Sequence, residues 1–404
     1  VMFVNDPGFH TGDATLFDGK RMTYYGRWTY KFEEAARKGA AAALIVHDTQ
    51  GASYGWDVVA HSWSGPQYDL PAKDDPDRRL PVQGWISAET AKQLFANAGL
   101  DLAQAYKDAS KRGFKPLPLK ASWSVDLKST IAAKTSRNVV GVLPGTRHAD
   151  EAVLYMAHWD HLGKHPDESG DNIYNGAVDN ATGVAGILEI ADVFAHQDPQ
   201  PARSVVFLAV TLEESGLLGS KYYVANPSFP LNKIAAVINL DAMSVAGRAR
   251  DVTVVGMGSS ELEDILRPIA AMQGRTLHAE AMPQSGAYFR SDHFNFAKAG
   301  VPALYTDGGE DLRKGGIAAG RAAAEDYVRH RYHSPGDEYD PATWKLDGTI
   351  EDLQLVYGVG KEVAAGDRWP NWYPGNPFKA ARDHMIAGQP GVAAANTQKV
   401  TPSP

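Results

Sequence analysis

Two adjacent glutamates, Glu213 and Glu214, follow almost directly on the apolar run Val205-Val206-Phe207-Leu208-Ala209-Val210, in the stretch "AVTLEESGLLGS". Carboxylates are ordinarily solvated, so an isolated Glu-Glu pair after a strand reads first as an exposed turn. Residues of the same chemical kind recur at equivalent places. The apolar run "VLYMA" leads into His158-Trp159-Asp160-His161, and "IAAVINL" leads into Asp241. Between the first two runs, "GAVDNATGVAG" sets Asp179 just ahead of a helical pattern. Imidazole and carboxylate without thiolate are donors suited to zinc, and to cobalt or manganese in its place.

Each of these residues also has an ordinary local reading. Asp179 at the mouth of a helix serves as an N-cap or as a partner for the helix dipole. A carboxylate fixed there, beside strand ends, is equally placed to bridge two cations. His158 and Asp160 are two apart, so in an extended segment they point the same way. A metal-binding histidine needs its second ring nitrogen held, usually by a carboxylate. Asp160 is a candidate for that role, or for positioning a nearby group, although "HWDH" alone reads as a surface loop. Late in the chain, "RHRYHSPGDEYDP" offers His330 and His333. His333 precedes a rigid Ser-Pro-Gly turn, whereas His330 lies between two arginines that would repel a cation. His333 is therefore the preferred ligand.

The elements around these residues alternate. "EAVLYMA", "SVVFLAV", "KIAAVINL", "RDVTVVGMG" and "VPALYTDG" read as strands. "NATGVAGILEIADVFAHQ" and "SELEDILRPIAAMQG" read as helices. Strands separated by helices predict an α/β fold with a mixed, mainly parallel central sheet and helices on both faces. In such sheets, sites gather at the carboxyl ends of the strands, where the polar residues above fall. Residues 1–115 form a second α/β pattern, with strands in "AAALIVHD" and "LPVQGWIS" and helices in "YKFEEAARKGA", "SAETAKQLFANAG" and "LDLAQAYKDASKRGF". Two prolines in "FKPLPLK" (114–120) mark a domain boundary. The segment 121–145 is expected to form a pair of strands, 306–332 a lid or rim, and the last dozen residues a poorly ordered tail.

Composition narrows the function class. The net charge of −8 comes with scattered Lys and Arg, and no basic patch points to nucleic acid. No apolar run approaches the roughly 20 residues that span a bilayer. With no cysteine, disulfides and thiolate metal sites are excluded and the redox compartment is left open. Frequent Gly and Pro (39 and 24) fit a loop-rich enzyme better than a helical bundle. The chain opens on "VMFV", already strand-like, with no export-signal pattern, and reads as starting inside a longer protein.

Six stretches in order, "AHWDHLG", "GAVDNATG", "LEESGLLGS", "INLDAMS", "SGAYFRSDHFNFAKAGVPAL" and "YHSPGDEYDP", resemble the motifs of the co-catalytic dizinc exopeptidase family. That family includes aminopeptidases and the glutamate carboxypeptidase and transferrin receptor group. The resemblance covers about 115–365. Residues 1–115, through "EEAARKGAAAALIVHD" and "LPVQGWISAETAKQL", resemble part of the protease-associated domain inserted in some members, truncated at its N-terminal side. The implied domains are 1–115, a catalytic domain at 116–366, and an extension at 367–404.

The resemblance implies two Zn²⁺ ions. His158 and Asp241 would hold one and Glu214 and His333 the other, with Asp179 bridging. Asp160 would support Asp179 and His158, Glu213 would be the general base, and Tyr288 would contact the reacting carbonyl. The implied reaction is hydrolysis of peptide bonds by water activated between the metals, with Glu213 carrying its proton to the leaving amine. The reading is an aminopeptidase with a peptide as its partner, exported by family pattern. A carboxypeptidase or dipeptidase is the alternative within the family, with Arg290 a possible carboxylate binder. A one-zinc glutaminyl cyclase and a non-catalytic, receptor-like peptide binder are the readings from further away. No motif speaks to side-chain preference or oligomeric state.

Overall fold

The computed structural model describes residues 1–63, 66–75, 77–165 and 169–387. The expected tail lies outside them. Two compact units divide the chain. The first contains Val1–Tyr68, Pro76–Thr135 and Ala281–Phe289. The second contains Asp69–Asp75, Ser136–Glu280 and the chain from Arg290 onward. The units thus part between Thr135 and Ser136, beyond the two prolines at 116 and 118, and a short late segment returns to the first unit.

In the first unit, β1 (Met2–Phe3), β2 (Ala42–Val46) and β3 (Val82–Ile86) form a parallel sheet in that order. Val4, Phe32, Ala43 and Ile45 are buried in its core, with Trp28, Trp63 and Trp85 packed against them. Its helices start where side chains can cap them. Ser87 Oγ accepts the N–H of Thr90 at the head of the helix Ala88–Asn97, and Asp101 accepts the N–H of Gln104 ahead of Leu102–Ala109. Each such cap stabilises its helix by about 1 kcal/mol.

The second unit is built on β4 (Val139–Leu143), β5 (His148–His158), β8 (Arg203–Val210), β9 (Ile234–Asn239), β10 (Asp251–Val254), β11 (Thr276–Ala279) and β12 (Ala303–Gly308). A separate two-stranded hairpin is formed by β6 (Gly163–Lys164) and β7 (Ile173–Tyr174). The seven-stranded sheet has the order β11-β10-β12-β9-β5-β8-β4. Its centre, β12-β9-β5-β8, is parallel, while β4 and β10 join it antiparallel. Residues 152–157 of β5 are all fully buried, as a strand covered on both faces requires. On one face Val153, Tyr155 and Ala157 meet Ile187, Ile190 and Phe194 of the helix Thr182–His196 and Leu355, Val359 and Val363 of the helix Leu346–Ala365. Two shorter helices, Leu218–Ala225 and His293–Lys298, pack against each other, and the second of them packs on β9 and β12.

One expectation is corrected. Residues 121–138 form no strand, because alternating apolar residues make a strand only where another strand offers hydrogen bonds. Only β4 forms, and Leu127 and Ile131 are exposed (72% and 94%). Within 306–332, the segment expected to be a lid or rim, Gly316–His330 is a helix rich in alanine. Residues 367–387 are tied into the second unit. Trp372 donates to the carbonyl of Gly300, and the buried Arg382 donates to those of Ile234 and Ala235. Trp369 lies against both Arg203 and Arg382.

Candidate metal centre

Strand register brings the first residues together. His158, the last residue of β5, is level with Val210 of β8, and Met156 is level with Asn239 of β9. Asp241, two residues past Asn239, therefore emerges beside His158, and Glu213 and Glu214 emerge just beyond Val210. The turns that aim them are unusual for residues with side chains. Leu212, immediately before Glu213, Ala242, immediately after Asp241, and His333 itself have φ of 56°, 49° and 53°. Such left-handed conformations cost on the order of 1–3 kcal/mol each and cluster where a site over-determines the backbone.

Asp179 is held by the turn that feeds the helix Thr182–His196. Asp337, fully buried, accepts the N–H groups of Val178 (2.9 Å) and Asp179 (3.0 Å) through its two carboxylate oxygens. Asn180 donates to the Leu240 carbonyl and accepts the N–H of Gly183 and of Ala242, which ties this turn to the Asp241 loop. Gly183 is needed for that approach, because a Cβ there would lie 2.5 Å from the Leu240 carbonyl oxygen.

Two sets of donors result, and Asp179 belongs to both. His158 Nε2 lies 3.1 Å from Asp179 Oδ1 and 3.2 Å from Asp241 Oδ1. His333 Nε2 lies 3.3 Å from Asp179 Oδ2 and 3.3 Å from Glu214 Oε2. Donors held about 2.1 Å from a tetrahedral cation sit about 3.4 Å from one another, so both sets fit zinc. The ring nitrogen of His158 away from the cluster, Nδ1, donates to the Asp160 carbonyl (3.0 Å), which leaves Nε2 as the lone-pair donor. Asp241 is oriented in turn by the Ser291 hydroxyl, which donates to its Oδ2 and accepts from Asn239.

The electrostatics are those of carboxylates awaiting positive charge. Burial disfavours an imidazolium at His158, but Asp179 and Asp241 outweigh it and hold its pKa well above the usual histidine range. At His333 burial is likewise overcome, by Asp179 and Glu214. Burial would raise Asp179, yet the two histidines pull it far below the usual carboxylate range.

Glu213 differs from these groups. Burial, joined by the carboxylates of Asp241, Glu214 and Asp292, pushes its pKa well up against the opposing pull of His158. The carboxylate of Asp160 stays 3.8 Å from His158 Nδ1 and instead accepts the N–H groups of Glu213 (3.1 Å) and Glu214 (3.4 Å). It holds the two-glutamate turn rather than the histidine ring.

The five residues read as ligands thus lie together, and Glu213 and Asp160 lie against them. His330 faces away and pairs with Asp326 one helical turn back. Tyr288 belongs to the first unit, in the short helix Ala287–Phe289, where it is buried with its ring edge against Phe289. Arg290 is exposed. Two contributors were not singled out from the sequence. Asp337 follows the Ser-Pro-Gly turn, but nothing in its spacing reveals that its partners lie 159 and 158 residues away. His161 was visible in "HWDH", and its Nδ1 lies 2.7 Å from Glu214 Oε1.

A sequence model of peptidase family M28 matches residues 138–358, just over half of the chain. A protein of Pyrenophora teres f. teres named probable zinc metalloprotease is 40% identical over 179 residues, covering 44% of this chain and 35% of its own. Leupeptin-inactivating enzyme 1 of Streptomyces exfoliatus is 27% identical over 288 residues, covering 67% of this chain and 60% of its own. The mouse aminopeptidase NAALADL1 is 29% identical over 202 residues, covering 46% of this chain and 25% of its own. The chain therefore spans between a quarter and three fifths of these relatives. The matched region runs from β4 into the helix Leu346–Ala365 and contains every residue of the two donor sets, and on that match the chain belongs to peptidase family M28.

Proposed function

We propose that this chain is a metallopeptidase that removes residues from the amino end of peptides and takes two zinc ions. The sharing of Asp179 between two donor sets, His158 with Asp241 and His333 with Glu214, is the observation that carries the reading. His158 and Asp241 would hold one ion, Glu214 and His333 the other, and Asp179 both. When bound, the ions would polarise a carbonyl oxygen and make a nearby water more acidic.

The chain's own residues then have distinct tasks. Glu213, adjacent to Glu214 but in neither donor set, accepts a proton and delivers it to the leaving amine. Asp160 fixes the Glu213–Glu214 turn, so that one glutamate stays a ligand while its neighbour stays free. Tyr288 is assigned to the reacting carbonyl by family resemblance, and residues 1–115 to a protease-associated domain on the same basis. Export from the cytoplasm belongs to this proposal too. No helix among the described residues is long and apolar enough to cross a membrane. The names of the Pyrenophora and mouse relatives support zinc and the amino-terminal direction.

The test is amino-acid release from peptides with free and with blocked N-termini. Release from free N-termini alone supports the proposal. Release from blocked peptides would replace it with a carboxypeptidase or dipeptidase. Zinc binding without turnover on any peptide would favour a peptide-binding role.

A further inference from the structure

The two oxygens of Glu214 face different histidines. Oε2 faces His333 Nε2 at 3.3 Å, a separation that fits two donors sharing a cation. Oε1 faces His161 Nδ1 at 2.7 Å, which is hydrogen-bonding distance and well inside the roughly 3.4 Å between two donors of a tetrahedral ion. Both side chains are more than nine-tenths buried (6% and 8% exposed). His161 Nε2 is buried with no hydrogen-bond partner among the described residues. A carboxylate oxygen only accepts, so the His161 Nδ1–H that faces it donates.

The backbone holds this ring in place. His161 follows Asp160, whose carboxylate accepts the N–H of Glu214. The loop therefore grips Glu214 twice, once at the backbone through Asp160 and once at the side chain through His161. On its other side the ring meets Gly176, where a Cβ would lie 2.7 Å from the His161 ring and 2.5 Å from the Asp179 carbonyl oxygen. The ring of His333 meets that of His161 edge-on, with centroids 5.6 Å apart.

We infer that His161 is a positioning residue for the second metal. It donates Nδ1–H to Glu214 Oε1 and thereby presents Oε2, with His333, to the ion. It is not a ligand itself. This inference rests on the proposed reading of Glu214 as a ligand. A carboxylate oriented by a hydrogen bond loses fewer conformations when it binds metal, and removing such a partner typically weakens metal affinity about 10–100-fold.

The test compares three variants of the full chain by zinc competition against a chromophoric chelator. The visible spectrum of the cobalt-loaded protein is recorded alongside. In His161→Asn the side-chain amide can donate from the place of Nδ1. In His161→Gln the donor sits where Nε2 was, and His161→Leu fills the space without a donor. We expect His161→Leu and His161→Gln to weaken one of the two zinc sites about 10–100-fold and to shift the cobalt spectrum, and His161→Asn to restore most of the affinity. Equal zinc affinity in Leu and wild type, or Asn no better than Leu, would overturn the inference. Glu214→Ala separates the two levels. If it binds zinc as wild type does, the reading of Glu214 as a ligand fails and this inference with it. If it loses one zinc while the His161 variants lose none, only the role of His161 fails.

Discussion

Asp337 Oδ2 accepts the N–H of Asp179 at 3.0 Å, across 158 residues of sequence. The same carboxylate takes the neighbouring N–H of Val178, and the Asp337 carbonyl takes that of Ala177. Four residues before Asp337 stands His333, whose ring faces the Asp179 carboxylate. One short loop thus supplies a donor to the centre and fixes the backbone of the residue that the two donor sets share.

Asp337→Ala leaves two buried N–H groups without an acceptor. Each such loss costs about 1–3 kcal/mol, so the variant is expected to lose several kcal/mol of stability even without metal. Zinc affinity should fall as well, because Asp179 loses its anchor. Urea unfolding of metal-free and zinc-loaded protein checks both effects. Unchanged stability of the metal-free form would contradict the clamp.

Glu213→Gln keeps the shape of the turn and its amide bonds to Asp160 but removes the proton acceptor. Turnover should fall by about 10²–10⁴, the usual contribution of a general base, with zinc content unchanged. Loss of zinc in this variant would mean that Glu213 is itself a ligand.

Metal removal should destabilise the second unit. Asp179, Glu214 and Asp241 converge there on the rings of His158 and His333. Free zinc at about 100 times its dissociation constant would contribute about 2.7 kcal/mol. Thermal melts with and without chelator should show one transition moving down. A melt indifferent to chelator would argue against a resident ion.

The centre was legible in part. The buried runs of β5, β8 and β9 announce parallel strands, and polar residues just past their ends must meet at one edge of the sheet. His158, Glu213, Glu214 and Asp241 could be found in that way, and His333 through the stiff turn after it. The partners of Asp160 and Asp337 could not, because a carboxylate that accepts distant amides leaves no periodic trace. His161 was hidden by its neighbours, since one histidine per strand end satisfied the pattern. The segment 121–138 misled for the opposite reason. Its alternation suits a strand, but pairing depends on a neighbour that alternation does not reveal.

The first unit offers a pH test away from the metal. Burial pushes the Asp6 carboxyl up to about 6 from 3.8, although hydrogen bonds from Thr23 pull it down. A raised carboxyl contributes stability that is complete below the unfolded value and is lost as pH rises through the folded one. Between about pH 4 and about pH 6 the contribution should fall by on the order of 3 kcal/mol. Asp6→Asn should flatten that part of the profile. Urea unfolding at about pH 4 and about pH 7, followed by tryptophan emission, checks it, and parallel profiles for the two proteins would refute the assignment.

The central claim is that one aspartate serves two ions. A zinc-edge anomalous difference map from crystals grown with zinc tests it most directly. The account predicts two peaks, one touching His158, Asp179 and Asp241 and the other touching Asp179, Glu214 and His333. A single peak, or two peaks of which only one touches Asp179, would contradict it.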